Sequence, residues 1–238
     1  MSKSLGLHIP IIILCIITLI ILCIYLVKLR PMIERFTTKY DSKNNDHILI
    51  CIGDSILNNT NYVPNGKSVI DYLQKGMKNM KVINLAQDNA NIDDVYNQLR
   101  RIPDIKSNHS ATTNNNTKTR KTIILSVGGN NLLEYEPIDF VYVKYVDLVS
   151  YIKENEDENY KLYVLNLYYP TDESMKKYYE RIRKWNEMLD RLPVKYNIDM
   201  NVIDISKIIK EPTDLVSKIE PSVTGGLKIA EKIMGSVN

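Results

Sequence analysis

From residue 48 onward, apolar runs of strand length alternate with stretches of helical periodicity. Ile48–Ile52 is continuously apolar and breaks off at Gly53-Asp54-Ser55. Ser68–Met80 then places Val69, Tyr72, Leu73 and Met77 on one face, the spacing of a half-buried helix. Lys81–Leu85 predicts a second strand, and Asn91–Arg101 a helix with Ile92, Val95 and Leu99 inward, closed at Pro103. Thr122–Val127 reads as a central parallel strand. Ile138–Lys153 predicts a helix and Lys161–Leu167 a fourth strand. Ser174–Leu192 is a long amphipathic helix carrying the single tryptophan, Trp185. Asn201–Ile205 is a fifth strand, and Val223–Met234 the last helix. This alternation predicts an α/β domain over residues 47–238, a five-stranded parallel sheet with helices on both faces.

Two segments depart from the pattern. Residues 9–27 are almost wholly apolar, interrupted only by Thr18 and Tyr25. A span of about 20 residues matches a bilayer core and exceeds the apolar region of a secretory signal. Residues 1–30 therefore read as a single-pass transmembrane anchor, with the lipid bilayer as partner, and residues 31–46 as a juxtamembrane stalk. Lys28, Arg30, Arg35 and Lys39 after the span favour a cytoplasmic domain. Cys15, Cys23 and Cys51 have no evident disulfide partners, which points the same way. The sequons at Asn58, Asn108 and Asn115 point to the other side of the membrane, although chance sequons are expected in so Asn-rich a chain. The second departure, Lys106–Arg120, is Ser-, Asn- and Thr-rich and reads as a surface insertion.

Charge and composition narrow the function classes. A net charge of +3 over 238 residues gives no basis for nucleic-acid binding. No Gly-rich loop of P-loop or dinucleotide type occurs. Asp88, Asp93 and Asp94 are explained as acids at a helix start rather than as metal ligands, so neither cofactor nor metal is expected.

Candidate chemistry gathers where strands end. Gly53 permits a sharp turn at the carboxyl end of the first strand, the edge where open parallel sheets bind ligands. Ser55 is either a nucleophile or a helix N-cap. The second and third strands lead into Asn84-Leu85-Ala86-Gln87-Asp88-Asn89-Ala90 and Val127-Gly128-Gly129-Asn130-Asn131, and Ile219-Glu220-Pro221-Ser222 precedes the last helix. Cys51, inside an apolar strand, reads as a buried small side chain. Tyr168 and Tyr169 are candidates for a substrate mouth.

In order and spacing these four motifs resemble the SGNH/GDSL hydrolase family, over the whole region from Ile48 to the carboxyl terminus. The resemblance implies a flavodoxin-like three-layer α/β/α sandwich and an esterase, lipase or acyl-sugar deacetylase acting through a serine acyl-enzyme. By resemblance Ser55 is the nucleophile and one oxyanion donor through its N–H. Asn89 replaces the family's glycine as a backbone donor, and Asn130 supplies the side-chain donor. Asn131 stands where Asp is usual and is expected to act locally. The family's Asp-x-x-His is absent. Alignment on Pro221 puts Glu220 at the His position and Ser217 at the Asp position. His8, His47 and His109 all lie elsewhere.

Serine needs a base to take its proton, and a carboxylate is a weak one unless burial raises its pKa. Glu220 is the candidate, with Asp214 a second carboxylate nearby. Alternatively Glu220 caps the last helix or pairs with Lys218. The expectation is a membrane-anchored SGNH-like serine hydrolase of small acyl esters or acyl sugars. The alternative is an inactive SGNH-fold binding module at a membrane; a flavodoxin-like cofactor binder finds less support.

Overall fold

The computed structural model describes residues 47–102, 120–156 and 160–237. The expected membrane span, the stalk and nearly all of the Ser/Asn/Thr-rich insertion lie outside the described residues. Among the described residues no helix is long and apolar enough to cross a membrane.

The first half of the domain comprises β1 (His47–Gly53), α1 (Val69–Gly76), β2 (Lys81–Asn84), α2 (Ile92–Leu99), β3 (Arg120–Ser126), α3 (Gly129–Leu133) and α4 (Ile138–Asn155). Then come β4 (Tyr160–Leu165), a 3-10 turn (Glu173–Tyr178), α5 (Tyr179–Tyr196), β5 (Met200–Ile203), the short strands β6 (Leu215–Val216) and β7 (Glu220–Pro221), and α6 (Val223–Val237). The main sheet has the order β2-β1-β3-β4-β5, with every pair parallel. This is the doubly wound order with its topological switch between β1 and β3. β6 and β7 form a separate antiparallel hairpin.

Burial follows from this order. Strands β1 and β3 are covered on both faces, so Leu49–Ile52 and Ile123–Leu125 are solvent-free and apolar without alternation. Helices α1 and α6 pack against each other, as do α2 with α4 and α4 with α5. Ser68 and Asn91 start α1 and α2 with capping boxes completed by Asp71 and Asp94, which satisfies N–H groups the helix cannot.

Two helices differ from expectation. α1 ends at Gly76, short of Met80, where a Cβ would meet Met234 Sδ of α6 at 2.1 Å. The Ser174–Leu192 helix begins as the 3-10 turn and then continues through Pro193 to stop on left-handed Asn197. α3 and the β6–β7 hairpin were not foreseen in the periodicity.

Candidate functional site

The turn after β1 is built by long-range contacts. Gly53 has φ +123°, and a Cβ there would lie 1.7 Å from the Ser126 carbonyl of β3. No other residue fits that approach. The wholly buried Gln98 side chain clips Gly53, accepting from its N–H at 2.6 Å and donating to its carbonyl at 2.9 Å. Asp54 N–H donates to Ser126 O at 2.8 Å, and Asp54 Oδ1 accepts from Ile56 N and Ser126 Oγ at 3.1 and 2.9 Å. The cap in this turn is therefore Asp54. Ser55 caps no helix, since the next one, α1, starts at Val69 and is capped by Ser68. Among the described residues no backbone carbonyl accepts from the Ser55 N–H.

Ser55 instead lines a cleft of about 520 Å3, open solvent included, together with Asp54, Asn130, Tyr168 and Glu220. Ile56, Leu132, Leu133, Tyr178 and Ile182 contribute apolar walls. Asn130 follows left-handed Gly128, where a Cβ would strike the buried Trp185 ring at 2.5 Å. Its Nδ2 donates to Ala90 O at 2.8 Å. An amide nitrogen has two hydrogens, so this bond leaves a second donor. Asn89 precedes Ala90; it is exposed, has φ +58°, and is not part of the cleft lining. The structure thus brings Ser55, Asn130 and Glu220 to one cleft and puts Asn89 beside it, in the left-handed conformation that suits Gly or Asn.

Glu220 reaches the cleft from β7 and is only 6% exposed. Burial raises its carboxyl pKa; the nearby Ser55 side chain pulls the other way, and Asp88 raises it again. Among the described residues its Oε2 has no hydrogen-bond partner. Asp54, 2% exposed, is pushed to about 7, chiefly by burial, against its bonds from Ser126 and Ile56 and with added repulsion from Glu220. Neither bland alternative for Glu220 is realised. Ser222, not Glu220, receives the Gly225 N–H at the start of α6, and Lys218 reaches Ser174 Oγ at 3.4 Å.

Of the other candidates, all but Tyr168 lie outside the cleft lining. Asp214 Oδ2 accepts from the N–H groups of Lys210 and Glu211 and from Lys228 Nζ, a structural knot that corrects its reading as a second base. Ser217 occupies the left-handed hairpin turn. His47 sits at the opposite edge of the sheet, bonded to Thr122 Oγ1; His8 and His109 lie outside the described residues. Cys51 is buried and its thiol pKa is pushed to about 12, so it is inert. Asn131 is local as expected, accepting from Ile92 N and donating to Glu136. Asp88 is not a helix-start acid: it accepts from Tyr62 and Asn61. Tyr168 lines the cleft, while Tyr169 packs on the Tyr179 ring.

Residues 49–231 match the family model described as GDSL-like Lipase/Acylhydrolase. Among solved structures, a member of the lipolytic G-D-S-L family from Veillonella parvula superposes with a TM-score of 0.62 at 19% identity, covering 80% of this chain and 98% of that one. A lipase from a goat rumen metagenome gives 0.61 at 19%, covering 80% and 97%. The acetylxylan esterase Axe2 of Geobacillus stearothermophilus gives 0.58 at 13%, covering 80% and 94%. At these identities the likeness is one of fold. No curated protein matches the chain in sequence.

Proposed function

The chain belongs to the GDSL-like lipase/acylhydrolase family, and on that premise we propose that it hydrolyses or transfers ester-linked acyl groups through an acyl-enzyme on Ser55, with Glu220 as general base. The observation that carries this reading is that the buried Glu220 and Ser55 line one cleft walled by apolar side chains.

In the first half-reaction Glu220 accepts the Ser55 proton as Oγ bonds to the substrate carbonyl carbon. Negative charge moves to the carbonyl oxygen. In this reading the Ser55 N–H and the second Asn130 Nδ2 hydrogen hold it, with the Asn89 N–H as the third donor implied by family resemblance. Loss of one such donor costs about 3 kcal/mol of barrier. The tetrahedral species then expels the alcohol, which takes the proton from Glu220. Glu220 then deprotonates water, which attacks the acyl carbon; the second tetrahedral species releases the carboxylic acid as the Oγ–carbon bond breaks and Ser55 Oγ takes the proton back from Glu220. Burial is what makes a carboxylate serviceable here, because it lifts the pKa toward the working pH. In this reading residues 9–27 tether the domain to a bilayer, supported by their almost wholly apolar sequence.

The test treats the detergent-solubilised full chain with a fluorophosphonate probe and with p-nitrophenyl esters of short acyl chains. Labelling and turnover should vanish in Ser55→Ala and fall steeply in Glu220→Gln. A folded wild-type chain that neither labels nor turns over would overturn the hydrolase reading in favour of a ligand-binding module.

A further inference from the structure

Glu220 sits on a strand of two residues, too short to fix a side chain through its own ladder. The turn before it contains two left-handed residues, Ser217 and Lys218. Yet the carbonyl groups on both sides of Glu220 are held by side chains from distant loops. The Tyr168 hydroxyl donates to Ile219 O. Asn59 Nδ2 donates to Pro221 O at 2.9 Å.

Both donors are rooted in the core. Tyr168 is buried and follows Leu167, whose N–H and carbonyl are both held by the Asn186 side chain, at 2.9 and 2.7 Å. Asn59 has no solvent exposure, and its Oδ1 accepts from the Val69 N–H at the start of α1, at 2.9 Å. We propose that Tyr168 and Asn59 are positioning residues that clamp the Ile219–Pro221 backbone from two sides and so hold the Glu220 carboxyl against Ser55. This rests on Glu220 being the base for Ser55. Neither clamp residue needs to exchange a proton, because each acts through a main-chain carbonyl.

A clamp has a consequence that an ordinary core hydrogen bond lacks. Released, the hairpin lets water reach Glu220, and its carboxyl titrates closer to the ordinary glutamate range. The other titratable groups facing Glu220 are Asp54, Asp88, Tyr62 and Tyr168 itself. Lys218 is turned toward Ser174. Of these groups, Tyr168→Phe alters only Tyr168, which is uncharged near neutral pH because burial raises its pKa well above the usual phenol value.

The experiment uses full-length chain in detergent, wild type against Tyr168→Phe. It reads three quantities: the fluorophosphonate labelling rate, the Glu220 carboxyl titration by 13C NMR (assigned by its absence in Glu220→Gln), and the unfolding midpoint. The expected result is labelling about ten- to hundredfold slower, as for a misplaced catalytic group, with Glu220 titrating at lower pH than in wild type. Asn59→Ser should move both readouts in the same direction; if it fails to fold, Tyr168→Phe alone decides. An unchanged Glu220 titration in Tyr168→Phe overturns the clamp, whatever happens to the unfolding midpoint. If wild type itself does not label but the titration still moves, the hydrolase reading falls and the clamp stands.

Discussion

The two ends of the β6–β7 hairpin carry two carboxylates with opposite fates. Asp214, just before β6, has a side chain with no solvent exposure and a lowered pKa. Glu220, on β7, is almost as buried and has a raised one. Burial alone would raise both. At Asp214 it is outweighed by Lys228, 2.7 Å from Oδ1, and by the N–H groups of Glu211 and Lys210. At Glu220 no cation among the described residues answers; the nearby Ser55 side chain favours the charge, and Asp88 opposes it. A buried carboxylate is thus a strut or a base according to what faces it.

The largest expected effect removes the base end. Glu220→Gln keeps the shape and loses the proton acceptor, so labelling of Ser55 should fall by about 10² to 10⁴. The fold should hold, since a neutral amide is less costly to bury than an unpaired charge. A variant that labels at the wild-type rate would remove Glu220 from the mechanism.

Next comes the strut end. Lys228→Met leaves Asp214 buried without its cation and makes it resemble Glu220. Lys228 is partly exposed, so the loss should be about 2 kcal/mol rather than the full value for a buried pair. That corresponds to a fall of roughly 4–8 °C in the midpoint of thermal unfolding. No fall would mean that Asp214 is held by its N–H partners alone.

The pH response sharpens the contrast. Glu220 has a raised folded pKa, so its basicity is lost, and its burial cost relieved, as pH falls through that value. Asp214 has a depressed folded pKa. Its stabilisation is present above the unfolded carboxylate value and disappears only as pH falls through the folded one. Acidification from neutrality should therefore stop labelling before it weakens the Asp214 knot. Parallel profiles of labelling rate and unfolding midpoint check this, and a midpoint that falls together with the rate would contradict it. The smallest effect is expected from Asp54→Asn, which keeps an acceptor for Ser126 and Ile56 but removes a charge facing Glu220. The acid limb of labelling should stay in place, because the repulsion between the two carboxyls falls on Asp54 and not on Glu220; a shift to lower pH would show that a charged Asp54 holds the Glu220 carboxyl up.

Much of this architecture is written in local pattern. The interior strands β1, β3 and β4 are legible because interior parallel strands must be apolar on both faces, and the edge strands β2 and β5 only as short apolar runs between helical stretches. α3 is too short to show a period, and β7 contains a proline, so neither signals itself. Gln98 was missed for a different reason. A polar residue at the Ile92–Val95 spacing belongs to the apolar face, and that position alone could have flagged it as buried. Asp54 and Ser55 have similar capping preferences, so only the contact with Ser126 tells which one caps. Glu220 was reachable by counting to Pro221, but its contrast with Asp214 was not, because that depends on Lys228 folding back from α6.

The closeness of Gly53 to Ser126 also bears on the order in which the molecule can be made. β1 lies between β2 and β3, and its turn is closed by Ser126 on the later strand. Contacts so distant along the chain are slow to form, since the intervening segment must first be closed into a loop. A ribosome that has released β1 and β2 has therefore not yet released what shapes the serine turn. The carboxylate that shares the cleft with Ser55 arrives later still. Until then the growing polypeptide carries its nucleophile without the partners that would let it react.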